Sequence, residues 1–322
     1  MQPSFAQKAV TEITPQPLEE NSLPVEETSL PFPAAGSSLT VLPLNNEHEA
    51  EVLAFLAERP LHTFFMAGAI CDNGLVSELH RGLFYACRNR KGEIEGVALI
   101  GHTTLVEARS EAALSAFACF TRYIPSAYMI LGEQEKVERF WNYFARPNQS
   151  PYRTSRELLM HQQEVSKKVE PLRGLRPATL EDLPVLLSVY AWMAFEESGN
   201  NPLETDPEGF QQRWSNRIEK GRVWVWIENE RLIFNACTMA ETADCAYLGG
   251  IYVNPEERGK GYGLRCLSQL RRNLRFVAES TARPRSLCVL VGEPEAGAQA
   301  FFEKAGYKPV GYYDTLFLCR KT

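Results

Sequence analysis

Apolar and polar positions along the first half of the chain follow strand and helix periods in turn. A strand is predicted at residues 39–42, and the spacing of apolar residues predicts a helix over 47–58. Two apolar runs, 83–87 and 96–100, flank a turn that contains Gly92, and this arrangement predicts a β-hairpin. The pattern then predicts a helix, a strand and a helix, at 112–120, 128–131 and 135–144. This order is typical of a mixed α/β unit.

The second half repeats that order of elements. The pattern predicts an extended segment at 172–177, a helix at 179–192 and a hairpin at 223–236. It then predicts strands at 247–253 and 287–291 and a final helix at 295–304. A short local identity supports the repeat, because ILGEQE at 130–135 aligns with LVGEPE at 290–295, an offset of 160 residues. We therefore expect two copies of one α/β unit.

Composition divides the chain into three segments. Residues 1–37 contain six prolines and five glutamates against one lysine, and lack a sustained apolar period, so we expect a disordered tail. A polar stretch between residues 162 and 170 separates the two repeats. The predicted domains are accordingly 38–165 and 171–322.

Overall composition excludes several classes of protein. With 44% apolar residues and a net charge of -6, the chain lacks the excess of positive charge that coats a nucleic-acid backbone. The eight cysteines contain no C-x-x-C pair, and we interpret them as reduced core residues. There is no signal-peptide pattern and no apolar run long enough to span a membrane, so we expect a cytoplasmic protein without a membrane or nucleic-acid partner.

The stretch with the clearest chemistry is Gly-Lys-Gly-Tyr-Gly at residues 259–263, between a predicted strand and a predicted helix. The first amides of a helix have no intrahelical acceptor, so a glycine loop at that position can surround a phosphate group. The competing interpretation is a surface turn that uses glycine for positive φ. The spacing matches neither the Walker A motif nor G-x-G-x-x-G. Four arginines on the following helix are expected to form a solvated face: Arg265, Arg271, Arg272 and Arg275.

What the loop does match is R-x-x-G-x-G, filled by Arg258, Gly261 and Gly263. This pattern, after a strand and before a helix, resembles the pyrophosphate-binding loop of the GNAT superfamily of N-acetyltransferases. The segment EAGAQAFFEKAGYKP at 295–309 resembles the second signature of that superfamily. Its residues in register are Ala298, Glu303, Lys304, Gly306 and Tyr307.

The resemblance implies a fold of α/β class (α+β mixed sheet) with two tandem acyl-CoA N-acyltransferase (GNAT-like) domains. Each would be a mostly antiparallel mixed sheet with splayed parallel strands flanked by helices. In the second domain the splayed strands would be 247–253 and 287–291. The first domain would be a degenerate copy, because the segment after its strand, residues 107–113, contains no glycine that could wrap a pyrophosphate.

The resemblance also implies acetyl-CoA as co-substrate, with no metal, and a primary amine as acceptor. The pantetheine arm would pair with the first splayed strand and the pyrophosphate would lie against the glycine loop. The implied coenzyme-binding residues are Ile251, Tyr252, Val253, Arg258, Gly259, Lys260, Gly261, Tyr262, Gly263, Ala298 and Phe302. Gly249 and Gly250 inside a strand indicate either a bulge that aims an amide at the thioester oxygen or tight packing against a helix.

Direct attack on the thioester needs a base for the amine and an acid for the departing thiolate. All five histidines precede residue 165, so a base within the second half must be a carboxylate, a tyrosine or water. Glu196 and Glu197 follow the first helix of that half, where the resemblance implies an acceptor-lining loop, although an ordinary solvated helix end is the alternative. Phe302 stands where many superfamily members have an acidic tyrosine, which leaves Tyr307, Tyr312 or solvent for that role.

Two functions of different class follow. The first is an acetyl-CoA-dependent N-acyltransferase, and the second is a non-catalytic acyl-CoA-binding regulatory or interaction module. Phe302 and Tyr247 favour the second function, because Tyr247 aligns with a position where many members have a glutamate base. Acyl transfer from a charged tRNA is disfavoured by the acidic balance of the chain.

Overall fold

The structure, a computed structural model, describes residues 39–162, 172, 174–277 and 286–318. The predicted tail at 1–37 and the predicted domain boundary near 165–171 lie outside the described residues. The mixed α/β class predicted from the sequence is confirmed.

The structure contains the predicted elements together with strands and helices that the sequence did not predict, among them the strands Thr103–Ala108, Arg153–Gln162 and Lys308–Phe317. The strands are β1 (Thr40–Pro43), β2 (Gly82–Arg88), β3 (Ile94–Gly101), β4 (Thr103–Ala108), β5 (Met129–Glu133), β6 (Arg153–Gln162), β7 (Arg176–Pro177), β8 (Val223–Glu228), β9 (Arg231–Glu241), β10 (Cys245–Val253), β11 (Ser286–Gly292) and β12 (Lys308–Phe317). The helices are α1 (Glu49–Leu56), α2 (Pro60–Asn73), α3 (Glu111–Thr121), α4 (Gln134–Phe144), α5 (Leu183–Ser198), α6 (Pro202–Thr205), α7 (Pro207–Glu219), α8 (Tyr262–Val277) and α9 (Ala296–Lys304).

All twelve strands of the described residues form one sheet, in the order β1-β2-β3-β4-β5-β12-β6-β11-β10-β9-β8-β7. The last strand of each half therefore lies in the sheet of the other half. β12 pairs with β5 of the first half, and β6 pairs with β11 of the second half, both antiparallel. β12 and β6 pair with each other in the middle of the sheet.

Each half contains one parallel pair of strands that diverges. In the second half, β10 and β11 are in register from Cys245 to Tyr247, after which the strands continue separately to Val253 and Gly292. In the first half, β4 and β5 are in register only at Thr103 and Thr104. Both pairs therefore open into a V, as the resemblance implies.

Helix α2 of the first half packs on strands of the second half. An added Cβ at Gly68 would lie 2.8 Å from the Cβ of Ala240 on β9, so only glycine permits this approach of helix and strand. Phe64, one turn earlier, is fully buried in a cluster with Cys245 and Cys288. The cysteine interpretation holds for five of the seven described cysteines, whereas Cys71 and Cys119 are exposed.

Candidate functional site

The glycine loop follows the first arm of the V in the second half. β10 ends at Val253, a single 3-10 turn spans Pro255–Glu257, and α8 begins at Tyr262. Gly259 and Gly261 have φ of 79° and 78°, a conformation that side chains with a Cβ rarely adopt. An added Cβ at either glycine would meet no atom within 4 Å, so the backbone of this loop faces open space. Its amides lie at the positive end of the α8 dipole, which suits an anionic group.

Gly263 has a different reason to be glycine. An added Cβ would lie 3.1 Å from the ring of Phe301 and 3.1 Å from the side chain of Val253. Its absence lets the start of α8 pack closely against β10 and α9. The spacing Gly261-x-Gly263 therefore combines one glycine needed for backbone conformation with one needed for packing.

Basic side chains border the loop, each with a partner. The Arg258 guanidinium donates from Nε to the carbonyl of Val253 at 3.2 Å. Lys260 forms an ion pair of 2.7 Å with Glu257, and this hydrogen bond raises the pKa of the exposed ammonium. Arg231 pairs with Glu256 at 2.7 Å. These positive groups could reorient towards a phosphate, since all three pairs lie at least partly in solvent.

A β-bulge interrupts β10 between its pairing with Cys237 and with Asn235. Gly249 pairs with Cys237 and Tyr252 pairs with Asn235, so Gly250 and Ile251 together oppose a single residue of β9. Gly250 has φ of 57°, and an added Cβ there would lie 2.4 Å from the Tyr190 ring of α5. The strand therefore bulges at the glycine pair and also packs tightly on a helix at Gly250.

The second signature lies on α9 and in the segment after it. Ala298 is half-buried, and Phe302 is buried against Phe301 and against Tyr307, whose ring centroid is 5.4 Å away. Tyr307 is 4% exposed, and burial raises its pKa. The structure places Tyr307 in the core beneath the sheet, so a role as proton donor to a thiolate does not fit this position. Tyr312 on β12 is 44% exposed.

The carboxylate pair proposed as a base lies at the end of α5. Glu196 is exposed, and its main-chain carbonyl accepts a hydrogen bond of 2.7 Å from Arg153 of β6. The Glu197 side chain lies outside what the structure describes. Trp192 and Phe195, on the same stretch of helix, are 53% and 49% exposed. This helix end therefore presents apolar rings beside a solvated carboxylate.

Aromatic side chains of the first half contact the V of the second half where its strands part. Tyr247 stands at the point where β10 and β11 part, paired with Cys288. Its ring lies 5.0 Å from Phe64 and 4.8 Å from Phe65, centroid to centroid, both on α2. Such a contact joins residues far apart in sequence, and no local pattern predicts it.

A network of charged side chains lies at the V of the first half. Arg59 bridges Glu107 and Glu133 at 3.0 and 2.7 Å, and Lys136 contacts the same two carboxylates at 2.8 and 3.0 Å. Burial raises the pKa of Glu133, but the hydrogen bond from Arg59 and the charge of Lys136 outweigh it and lower that pKa to about 2. The network therefore links β4, the end of β5 and α4 through charged side chains.

His62 adjoins this network through its Nδ1. That atom lies 2.9 Å from the Tyr313 hydroxyl and 3.2 Å from a Glu133 oxygen. Burial lowers the pKa of His62, against the opposing effect of Glu133.

One arginine of α8 differs from its sequence expectation. Arg271 is 2% exposed, and its Nη1 donates to the Gln162 carbonyl and side-chain oxygen at 3.0 and 2.8 Å. It therefore links α8 to the end of β6 and is not part of a solvated face.

The described residues contain neither a metal site nor a membrane-spanning helix. No group of three or more His, Cys, Asp or Glu side chains there could hold a metal ion. In the same part of the chain, no helix is both long enough and apolar enough to cross a membrane.

Comparison with known proteins bears on the splayed strands and the glycine loop. Residues 219–309 match the family described as "Acetyltransferase (GNAT) domain". This segment of the second half is therefore similar to a GNAT acetyltransferase domain. The matched segment contains β8 to β11, the glycine loop and the second signature, so the expectation drawn from the two motifs is confirmed.

Solved structures with the same fold span almost the whole chain. A Drosophila protein is 14% identical with a TM-score of 0.63, over 89% of this chain and 100% of its own. A GNAT-family acetyltransferase from Colwellia psychrerythraea is 11% identical with a TM-score of 0.51, over 87% and 100%. A tandem GNAT protein from the clavulanic acid biosynthesis pathway is 13% identical with a TM-score of 0.51, over 88% and 100%. At these low identities the likeness establishes the fold alone. None of the curated proteins matches the chain.

Proposed function

We propose that the chain is an acetyl-CoA-dependent N-acyltransferase whose second half, residues 171–322, binds the coenzyme and carries the chemistry. Residues 38–165 are then a degenerate copy that lost the coenzyme and walls the cleft. The observation that carries the proposal is the exposed glycine loop at the start of α8, directly after a strand that bulges and diverges from its parallel neighbour.

The binding step follows from main-chain groups. The pantetheine arm would lie along β10 beyond Tyr247, where Ile251, Tyr252 and Val253 no longer pair with β11. The pyrophosphate would accept hydrogen bonds from amides of residues 259–263. Arg258 and Lys260 would exchange their present partners for phosphate oxygens. Ala298 and Phe302 of α9 would support the other arm, with Phe302 acting through packing because its ring is buried.

The chemistry would be direct attack of an amine on the thioester carbonyl. An ammonium has an unperturbed pKa near ~10.4, so its proton must leave before attack. Glu196 and Glu197 are the carboxylates that we assign to binding and deprotonating the acceptor. The amide of the bulge would stabilise the charge on the carbonyl oxygen. Because Tyr307 is buried, we assign protonation of the thiolate to solvent or Tyr312.

Calorimetric titration of acetyl-CoA tests the coenzyme site. The informative variant is Gly261→Glu, which adds a carboxylate to the open face of the loop. Its matched control is Gly92→Glu, since Gly92 also has positive φ (84°) and also has no atom within 4 Å of an added Cβ, but lies in a hairpin of the first half. We expect binding by the wild type and the control and none by Gly261→Glu. A folded wild type that does not bind acetyl-CoA would refute the proposal.

A turnover assay distinguishes the acyltransferase from the alternative function, a non-catalytic acyl-CoA-binding module. Phe302 favours it, because a buried phenylalanine cannot donate a proton. We expect acetyl transfer to members of a primary-amine panel, with loss of activity in a Glu196→Gln, Glu197→Gln double variant. Binding of acetyl-CoA without transfer to any panel amine would favour the module.

A further inference from the structure

A buried polar cluster lies directly behind the bulge of β10. Asn235 on β9 is fully buried, and its Nδ2 donates to the Tyr190 hydroxyl at 3.0 Å and to the main-chain carbonyl of Gly250. The Oδ1 of Asn235 has no hydrogen-bond partner among the described residues. A buried unpaired acceptor destabilises a fold, so packing alone does not explain an asparagine at this position.

Tyr190 is held rigidly on its other side. Its ring stacks on Trp214 with centroids 3.4 Å apart and planes 5° apart. The Arg217 guanidinium in turn lies 4.9 Å from the centroid of the Trp214 ring. Helices α5 and α7 therefore fix the ring that contacts Gly250, and with it the hydroxyl that orients Asn235.

The Asn235 hydrogen bond also determines the direction of the next amide. Because the peptide bond is planar and trans, the N–H of Ile251 is antiparallel to the carbonyl of Gly250. With that carbonyl turned towards Asn235, the Ile251 N–H is turned away from it. The cluster thus sets the direction of one of the two bulge amides on the diverging arm of the V.

We propose that Asn235 and Tyr190 are positioning residues, which lock the Gly250 carbonyl so that the Ile251 amide donates to the thioester oxygen of acetyl-CoA. This inference rests on the proposed function and adds the device that orients its electrophile. Neither side chain touches the coenzyme. Asn235 acts through the peptide that it holds, and Tyr190 acts through Asn235.

The test measures the thioester carbonyl itself. Infrared spectra of acetyl-CoA labelled with carbon-13 at the acetyl carbonyl would be recorded on wild type and on Asn235→Asp, which keeps the size but loses the donor. The matched control is Thr238→Val, since Thr238 is also on β9, is 1% exposed and has an unpartnered Oγ1 among the described residues. Calorimetry on the same samples gives the affinity for acetyl-CoA.

We expect the carbonyl band of the bound coenzyme to lie at higher wavenumber in Asn235→Asp than in wild type and Thr238→Val, with affinity within about twofold. The turnover rate of Asn235→Asp should also fall by about 10- to 100-fold, which is less than the fall expected when an oxyanion donor is removed entirely. An unchanged band refutes the inference, with or without weaker binding. If Asn235→Asp does not fold, the carbonyl band is measured on Tyr190→Phe instead, because that variant removes only the hydroxyl. Failure of wild type to bind acetyl-CoA would instead refute the proposed function.

Discussion

Replacing Glu133 by glutamine should make the protein less stable at neutral pH, by an amount that shrinks as pH falls from 4.5 towards 2. The carboxylate lies 2.7 Å from Arg59 and 3.0 Å from Lys136, and its side chain is 25% exposed. Despite the opposing effect of burial, these partners lower the pKa of Glu133 from its ordinary value of 4.5 to about 2. One pKa unit is worth about 1.4 kcal/mol, so the ionised carboxylate contributes about 3 kcal/mol to the free energy of unfolding.

The pH window follows from the direction of that shift. A carboxylate with a lowered pKa stabilises the fold above its unfolded pKa, and the contribution is lost as pH falls from 4.5 to about 2. Urea unfolding of wild type and Glu133→Gln at pH 7, 5, 4 and 3 measures how the difference in their free energies of unfolding changes with pH. The control is Glu138→Gln on α4, the helix that follows Glu133, since Glu138 is 55% exposed and pairs with Arg156 at only 3.6 Å. A Glu133→Gln deficit that is the same at pH 7 and pH 3 would contradict the reasoning.

Three other predictions follow from the same geometry. Calorimetry should give one acetyl-CoA per chain, because the charged network of Arg59 and Glu107 lies at the V of the first half; two sites would contradict this. Gly250→Ala should lower the free energy of unfolding by about 2 to 5 kcal/mol, because alanine is strained at positive φ and its Cβ would also clash with Tyr190. Gly92→Ala should lower it by only about 1 kcal/mol, because that position has positive φ but no neighbouring atom to clash with. Equal losses, measured by urea unfolding, would exclude the contact. Residues 172–322 expressed alone should not fold, judged by circular dichroism and gel filtration, because β6 is missing between β11 and β12; a folded monomer would contradict this.

Local sequence patterns predict most elements and the glycine loop, but not how the halves combine. The hairpin of β2 and β3 and the positive φ of Gly259 and Gly261 follow from periodicity and from the properties of glycine. The central strand β6 was not predicted, because its first residues are polar. Arg156 in that strand is neutralised by Asp314 at 2.7 Å, a partner 158 residues away. Arg271 was predicted to be exposed for the same reason, because its partner Gln162 is distant in sequence and no local pattern reveals the contact.

The strand exchange gives a physical reason for a half without a coenzyme loop to remain part of the protein. β11, one arm of the V in the second half, has β6 of the first half as its neighbour on the side away from β10. Without that strand, β11 would be an unpaired edge, which is prone to pair with other chains. The other arm is contacted at Tyr247 by Phe64 and Phe65 of α2. Both arms of the V in the second half therefore depend on the first half, β11 through its pairing with β6 and β10 through the contact of Tyr247 with α2.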